Sequence, residues 1–333
     1  MEKDLTLLIP SYNKAPYIER ALNSLAEQTY IDRTKILVGD DCSTDDSVEI
    51  IIQCAEKYGL EMELYVNAEN LGVTDNFEKL YQSIDTEFYA ILCLDDYYAH
   101  PEKLERGVRF LKSHPDFSMH ACNCYSQRQN GKLTYSIPME KEDYVITAYS
   151  DMPFFQACVP VFRNFWNAEK DPIRRRQLLD YRKIFASSDP FANLMAVHYG
   201  KCYFENFFGN VYWINETDGV WNSLNNIEKD LGAADLYIKL AEIARDFFED
   251  RDDIRHCLTL AMPGYLSAVE SLFSLLRHLS AGDFKASESF MCGFADNPSN
   301  HSKSNDIKKV FDVMIDLESK IKSFGFGVEV IEQ

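Results

Sequence analysis

Short runs of apolar residues alternate with amphipathic segments over the first part of the chain. The apolar runs predict strands at residues 5–9, 36–38, 64–66, 88–94 and 117–124. Between them, apolar residues recur at helical spacing, as Ile18, Leu22 and Leu25 do, and predict a helix after each of the first four strands. This alternation indicates an α/β domain with a parallel sheet and right-handed crossovers.

The run at residues 88–94 carries no charge and ends directly in Asp95 and Asp96. A strand buried on both faces delivers whatever follows it to the carboxyl edge of the sheet, where open α/β folds bind ligands. Two adjacent carboxylates repel each other, and Mg²⁺ or Mn²⁺ relieves that repulsion because both ions prefer oxygen ligands. The alternative is that these acids cap the helix that Pro101 opens.

Two more polar loops, at residues 10–13 and 39–45, follow the first and second strands. Parallel strands end at the same edge, so these loops and residues 93–98 are expected to line one cleft. The cleft offers an aromatic ring for a base, acids for a ribose and a metal for phosphates. No G-x-G-x-x-G follows the first strand and no G-x-x-x-x-G-K-[ST] occurs, which argues against a dinucleotide-binding fold and a P-loop enzyme.

Four segments resemble the successive motifs of family 2 glycosyltransferases, in the same order and spacing. They are residues 10–14 (Pro-Ser-Tyr-Asn-Lys), 38–47 and 67–72, and residues 94–98 together with Pro101 and Leu104. The similarity extends over roughly residues 4–220. It implies a GT-A fold, which is a Rossmann-like mixed sheet with flanking helices. It also implies a nucleoside diphosphate sugar as donor, most often a UDP-sugar, and inversion of the anomeric centre.

The resemblance assigns roles to particular residues. Tyr12 packs on the base, Asp41 binds the base or the ribose, and Asp95 and Asp96 hold Mn²⁺ or Mg²⁺ and the diphosphate. The full set assigned to the sugar nucleotide is Pro10, Tyr12, Asn13, Asp41, Asn70, Gly72 and Asp95. Many members have an acid-x-acid pair whose first position is Cys93 here. A thiol is a poor partner for Mg²⁺, which leaves Asp95 and Asp96 as its ligands.

Asp189, followed by Pro190, precedes an apolar helical pattern that Gly200 closes. An Asp before a Pro is a good helix N-cap, which is the structural alternative. The resemblance makes Asp189 the general base that takes the proton from the acceptor hydroxyl during inverting transfer. A helix N-terminus is expected to keep the pKa of this carboxyl group low.

Other features of the second half depart from the family or remain open. Many members carry Tyr-Arg-x-His near the end of the domain, whereas Trp213 and Asn215 stand at the Arg and His positions here. Arg174, Arg175 and Arg176 form a dense basic run that would bind the diphosphate or an anionic acceptor, or simply start a solvated helix.

Composition limits the partners and the compartment. The net charge of −19 argues against nucleic acid and against a broad electrostatic hold on anionic lipid. The nine cysteines form no C-x-x-C framework and indicate thiols in a reducing compartment. No secretory signal and no apolar run of membrane-spanning length is found. We therefore expect a cytoplasmic protein, with peripheral association at the inner face of the membrane left open.

The chain is expected to divide into a GT-A catalytic domain at residues 1–224 and a helical region at 225–333. Residues 1–116 would bind the nucleotide sugar and residues 117–224 the acceptor, with two closing strands predicted at 201–204 and 209–214. The helical region predicts helices at residues 231–244, 258–279 and 307–321, and a homo-oligomer through these helices stays open.

The predicted function is transfer of a hexosyl or N-acetylhexosaminyl group to a glycan or lipid-linked acceptor of a surface polysaccharide. One alternative is a non-catalytic glycan-binding or assembly subunit with a degenerate site. The other is a sugar-phosphate nucleotidyltransferase, which would need a glycine-rich basic loop where residues 10–14 stand.

Overall fold

The computed structural model describes residues 2–135, 137, 142–165, 189–214 and 226–280, and a few residues between 316 and 324. Within it the chain forms two compact units, Met1–Glu216 and Thr217–Gln333. Each unit is described separately below.

The first unit is built on a mixed ten-stranded sheet. Its strands are β1 (Leu5–Ser11), β2 (Thr34–Asp40), β3 (Met62–Val66), β4 (Phe88–Ile91), β5 (Tyr97–Tyr98), β6 (Phe117–Arg128), β7 (Leu133–Tyr135), β8 (Tyr144–Ile146), β9 (Val161–Arg163) and β10 (Lys201–Ile214). The spatial order is β3-β2-β1-β4-β9-β6-β10-β5, with β7 beside β6 and β8 beside β10. The first four strands are parallel, as the sequence predicts, and β9 runs antiparallel between β4 and β6. The mixed sheet implied by the family resemblance is confirmed.

Strand β4 is buried along its whole length, which confirms the interpretation of its apolar run. It is shorter than predicted, because the ladder stops one residue past its end, where the Leu92 N–H donates to the Leu8 carbonyl at 3.0 Å. The chain then folds into a turn in which the Asp96 N–H donates to the Cys93 carbonyl at 2.9 Å. This turn takes the acidic pair out of the β4 ladder, with Asp95 partly exposed and Asp96 buried.

Five helices complete the described part of this unit: α1 (Ala15–Ala26), α2 (Ser47–Tyr58), α3 (Val73–Gln82), α4 (Lys103–Ser113) and α5 (Asp189–Tyr199). Pro16 lies in the first turn of α1, where its fixed φ suits the helix. Helix α3 begins directly after Gly72, whose φ of +83° turns the chain into the helix. Helix α4 begins at Lys103 with Glu102 as its N-cap residue, so neither Asp95 nor Asp96 caps it.

Strand β10 is one continuous strand where the sequence predicts two. It runs parallel to β6 with register shifts between Glu205 and Phe208 and between Phe208 and Asn210. Beyond the shifts it pairs antiparallel with the two-residue strand β5, so that Asn210 lies opposite Tyr98 and Val211 opposite Tyr97. The irregular stretch therefore bridges the two predicted strands.

The second unit contains α6 (Asn226–Ile243), a π-helical turn at Ala244–Phe248, and α7 (Arg251–Ser280). Helices α6 and α7 pack closely at Gly264, where a β-carbon would come within 2.4 Å of the Asp230 carbonyl oxygen. The predicted second helix begins earlier than expected, at Arg251. Most of the predicted third helix lies outside the described residues. Among the described helices, none has the length and apolar character that crossing a bilayer requires.

Candidate active site at the carboxyl edge of the sheet

The loops after β1 and β2 are tied together by hydrogen bonds at the carboxyl edge of the sheet. The Asp41 N–H donates to the Ser11 carbonyl at 2.8 Å, and the Asn13 N–H donates to Ser43 Oγ at 2.9 Å. The Thr44 N–H donates to Asn13 Oδ1 at 2.8 Å. Asn13 itself has a φ of +50°, a left-handed conformation that asparagine tolerates better than most residues. The predicted convergence of these loops is therefore present.

Asp41 holds a third loop in place. Its carboxylate is almost fully buried and accepts hydrogen bonds from the backbone N–H groups of Leu71 and Gly72, both at 2.8 Å. It also accepts one from Asn67 Nδ2 at 2.9 Å. The loop that carries Asn70 and Gly72 is thereby fastened to the end of β2. Sequence reasoning assigned Asp41 to the base or the ribose and missed this anchoring role.

The remaining residues assigned to the sugar nucleotide lie in the same corner. Tyr12 is 45% exposed on the loop after β1, and Pro10 pairs with Gly39 at the ends of β1 and β2. Asn70 Oδ1 accepts a hydrogen bond from the Gly72 N–H at 3.0 Å, which closes a tight turn. An exposed aromatic ring above three fastened loops is a suitable surface for a planar base.

The acidic loop brings Asp95 and Asp96 to this edge in different environments. Asp95 is partly exposed, and its Oδ2 lies 2.5 Å from Lys14 Nζ. Asp96 is only 2% exposed and accepts a hydrogen bond from the Trp213 N–H at 2.8 Å. Burial and the neighbouring Asp95 raise the pKa of Asp96 well above its usual value, and the Trp213 N–H offsets this only in part. A divalent cation would favour the ionised form of this carboxyl group.

One ligand atom from each of Cys93, Asp95 and Asp96 lies within 4.8 Å of the other two. This spacing is close to what a single ion spans, because ligands on opposite sides of a metal at about 2.0–2.3 Å lie roughly 4–4.6 Å apart. The donor set therefore fits the divalent cation that the family resemblance implies.

Two cations, Lys14 just before α1 and Arg20 within it, reach the acidic loop. Lys14 belongs to the first family motif, but no role was predicted for either residue. Lys14 pairs with Asp95; burial lowers its pKa, but the Asp95 charge outweighs burial and the pKa is raised. Arg20 Nη2 donates to the Asp95 carbonyl at 2.8 Å. The Arg20 guanidinium lies between the rings of Tyr97 and Trp213, 4.6 and 4.5 Å from their centroids. The sequence indicates these two contacts only by placing basic residues shortly after β1.

Asp189 starts α5 and lines a small cleft with Ile91, Pro160 and Phe162. Burial raises its pKa to about 7, although the Ala157 N–H donates a hydrogen bond to its carboxylate. The expectation that the helix N-terminus keeps this pKa low is wrong, because the apolar surroundings outweigh the helix dipole.

Asp189 lies near the acidic loop. Burial and then the charges of Asp96, Asp95 and Asp189 raise the pKa of the Cys93 thiol. Asp189 therefore stands close enough to Cys93 to interact with it electrostatically. Asn215 and the basic run Arg174–Arg176 lie outside the described residues.

The fold resembles that of glycosyltransferases of known structure. The crystal structure of Staphylococcus aureus TarS 1–349 in complex with UDP matches with a TM-score of 0.55 and 17% identity, covering 79% of this chain and 72% of that one. The mannosyltransferase PcManGT from Pyrobaculum calidifontis in complex with GDP-Man and Mn²⁺ matches with a TM-score of 0.54 and 15% identity, covering 96% of this chain and 87% of that one. The first unit has a GT-A fold.

Residues 6–169 match the family model described as Glycosyl transferase family 2. This match, over just under half of the chain, identifies residues 6–169 as a family 2 glycosyltransferase domain. An uncharacterised protein of Mycobacterium tuberculosis is 31% identical over 112 residues, which cover 34% of this chain and 32% of that protein. The poly(ribitol-phosphate) beta-N-acetylglucosaminyltransferase TarS of Staphylococcus aureus is 31% identical over 111 residues, which cover 33% of this chain and 19% of TarS. The chain thus matches about a third or less of the length of these relatives.

Proposed function

We propose that the protein is an inverting glycosyltransferase. It moves a hexosyl or N-acetylhexosaminyl group from a nucleoside diphosphate sugar to a hydroxyl of a glycan or lipid-linked acceptor. The observation that carries the proposal is the position of Asp189, a carboxyl group with a pKa of about 7, beside the Cys93–Asp96 loop. A base and a cation-binding loop at one edge of a GT-A sheet are what an inverting transfer requires.

The donor would bind in the corner formed by the loops after β1, β2 and β3. Tyr12 offers its exposed ring to the base, and Asp41 holds the loop that closes the corner. TarS structures contain UDP and UDP-GlcNAc, which supports a UDP-sugar, whereas PcManGT contains GDP-Man. A uridine nucleotide is our first choice.

Asp95 and Asp96 would hold Mn²⁺ or Mg²⁺, and Mn²⁺ in PcManGT supports a divalent ion at this place. When bound, the cation neutralises charge on the departing diphosphate. Lys14 and Arg20 add two fixed positive charges beside the acidic loop. Their charges would compensate for the missing Arg that many members carry where this chain has Trp213.

Asp189 would act as general base. With a pKa of about 7 it is ionised in a large fraction of molecules at neutral pH and can still accept a proton readily. In this proposal its carboxylate takes the proton of the acceptor hydroxyl as that oxygen attacks the anomeric carbon. Attack from the face opposite the diphosphate inverts the anomeric configuration.

The proposal keeps residues 1–224 as the catalytic domain and residues 225–333 as a helical region through which copies of the chain would associate. It also keeps the reaction in the cytoplasm. The cysteines that the structure describes are not in disulfides, which supports a reducing compartment.

A thermal-shift screen of the full chain with UDP-, GDP- and dTDP-sugars, with and without Mn²⁺, tests the proposal. Stabilisation by one nucleotide sugar only with the cation is expected, and at a concentration of 100 Kd it amounts to about 2.7 kcal/mol. Release of the nucleotide on addition of acceptor glycans would then identify transfer. Failure to bind any nucleotide with any cation would refute the proposal and favour the non-catalytic glycan-binding subunit.

A further inference from the structure

We propose that the Cys93 thiol is a third ligand of the cation, so that the site prefers thiophilic divalent ions such as Co²⁺ and Zn²⁺ over Mg²⁺. The inference rests on the proposed function, in which Asp95 and Asp96 hold the cation. It goes beyond it by naming a sulfur ligand and the class of metal that this ligand selects.

The positions of three atoms carry the inference. Cys93 Sγ lies within 4.8 Å of a carboxylate oxygen of Asp95 and of Asp96, and those two oxygens also lie within 4.8 Å of each other. Metal–sulfur and metal–oxygen bonds to Zn²⁺ are about 2.3 and 2.0–2.2 Å long, so small side-chain rotations suffice to place all three on one ion.

The acidic loop is held in this arrangement by three separate elements. The turn from the Cys93 carbonyl to the Asp96 N–H sets the backbone, the Trp213 N–H from β10 fixes the Asp96 carboxylate, and Arg20 from α1 fixes the Asp95 carbonyl. The ligand atoms are therefore brought together by the fold and not by chance side-chain positions. Such preorganisation raises the affinity and selectivity of a metal site.

Cys93 also differs in exposure from most of the other described cysteines. Cys93 and Cys42 are partly exposed, whereas the other described cysteines are buried. Sulfur selects softer ions, while Mg²⁺ favours oxygen. On binding, the metal–sulfur bond forms as the S–H bond breaks, and the proton leaves to solvent. A donor set of one sulfur and two carboxylates thus differs from the all-oxygen set of an acid-x-acid pair.

The test titrates the full chain with Co²⁺ and records the near-ultraviolet absorption that a thiolate–cobalt bond produces. We expect this band in the wild type and in Cys54→Ser, which removes a thiol on α2 outside the cluster. Cys93→Ser should lack the band and bind Co²⁺ at least about tenfold more weakly, a loss that even an outer partner of a metal ligand causes. Cys93→Asp should lack the band and gain affinity for Mg²⁺.

Thermal melting of each variant shows that it is folded, and calorimetric binding of UDP-sugar with Mn²⁺ separates the two proposals. If the wild type binds the nucleotide sugar with Mn²⁺ but has no thiolate band, or if Cys93→Ser retains the band or its Co²⁺ affinity, the sulfur ligand is refuted alone. If the band is present but no nucleotide binds with any cation, the proposed transferase function is refuted and the metal site stands.

Discussion

Replacing Asp189 by Asn should make the protein more stable and less active at the same time. The pKa of Asp189 is about 7 in the folded chain, against an ordinary value of 3.8. The folded chain therefore keeps this proton over about three pH units in which the unfolded chain has lost it. Each pH unit lowers the free energy of unfolding by about 1.4 kcal/mol, so the ionised carboxylate costs about 4 kcal/mol above pH 7.

Asparagine keeps the size of the side chain and can still accept the hydrogen bond from the Ala157 N–H. The variant should therefore gain up to about 4 kcal/mol at alkaline pH and almost nothing below pH 4. Urea unfolding at several pH values measures this difference. Asp75→Asn is the matched control, since Asp75 lies exposed in the first turn of α3 and should lose a little stability and gain none.

Transfer should fall about 10²–10⁴-fold in Asp189→Asn, the usual contribution of a general base, while binding of the nucleotide sugar stays nearly unchanged. In the wild type, log kcat should rise with pH and level off near pH 7, where the carboxyl group becomes ionised. Less than a tenfold loss, or a wild-type profile without this inflection, would refute the role of base. An unchanged stability at pH 8.5 would refute the desolvation argument.

Four further substitutions test other parts of the site. Asp96→Ala should weaken cation-dependent binding of UDP-sugar, and undiminished affinity by calorimetry would contradict its role as ligand. Arg20→Lys should lower stability toward urea by about 1–3 kcal/mol despite its retained charge, because stacking between two rings needs a planar guanidinium. Asp41→Asn should turn an amide group toward a backbone N–H and so lower the free energy of unfolding by about 1–3 kcal/mol. Hydrogen exchange in residues 67–72 should become faster, and unchanged exchange would refute the proposed anchoring of this loop by Asp41. Tyr12→Ala should weaken nucleotide binding by about 1–3 kcal/mol while Tyr12→Phe does not, and equal effects would argue against stacking.

The four parallel strands and their order along the chain are predictable from sequence, because each is an apolar run short enough to be a buried strand. Their parallel direction then places the loops at one edge, which makes the convergence of Asn13 with Ser43 and of Lys14 with Asp95 a geometric consequence. The position of β9 between β4 and β6 is not predictable in this way, since three residues carry too little pattern.

The electrostatics of the site are the least predictable part. The helix N-terminus at Asp189 is a local feature and suggests a low pKa, whereas the surrounding Ile91, Pro160 and Phe162 come from distant parts of the chain and raise it. Asp41 shows the same limit, because its partners at Leu71 and Gly72 are contributed by another loop. Local patterns place such residues but do not reveal what surrounds them.

The shortness of β5 has a consequence for Asp96. Extending its pairing with β10 by two residues would set Asp96 and Asp95 opposite Tyr212 and Trp213. The Asp96 side chain instead accepts the Trp213 N–H, a donor that further backbone pairing would need. Asp96 thus ends the β5–β10 ladder, so that residues 93–96 form a turn instead of lengthening the strand.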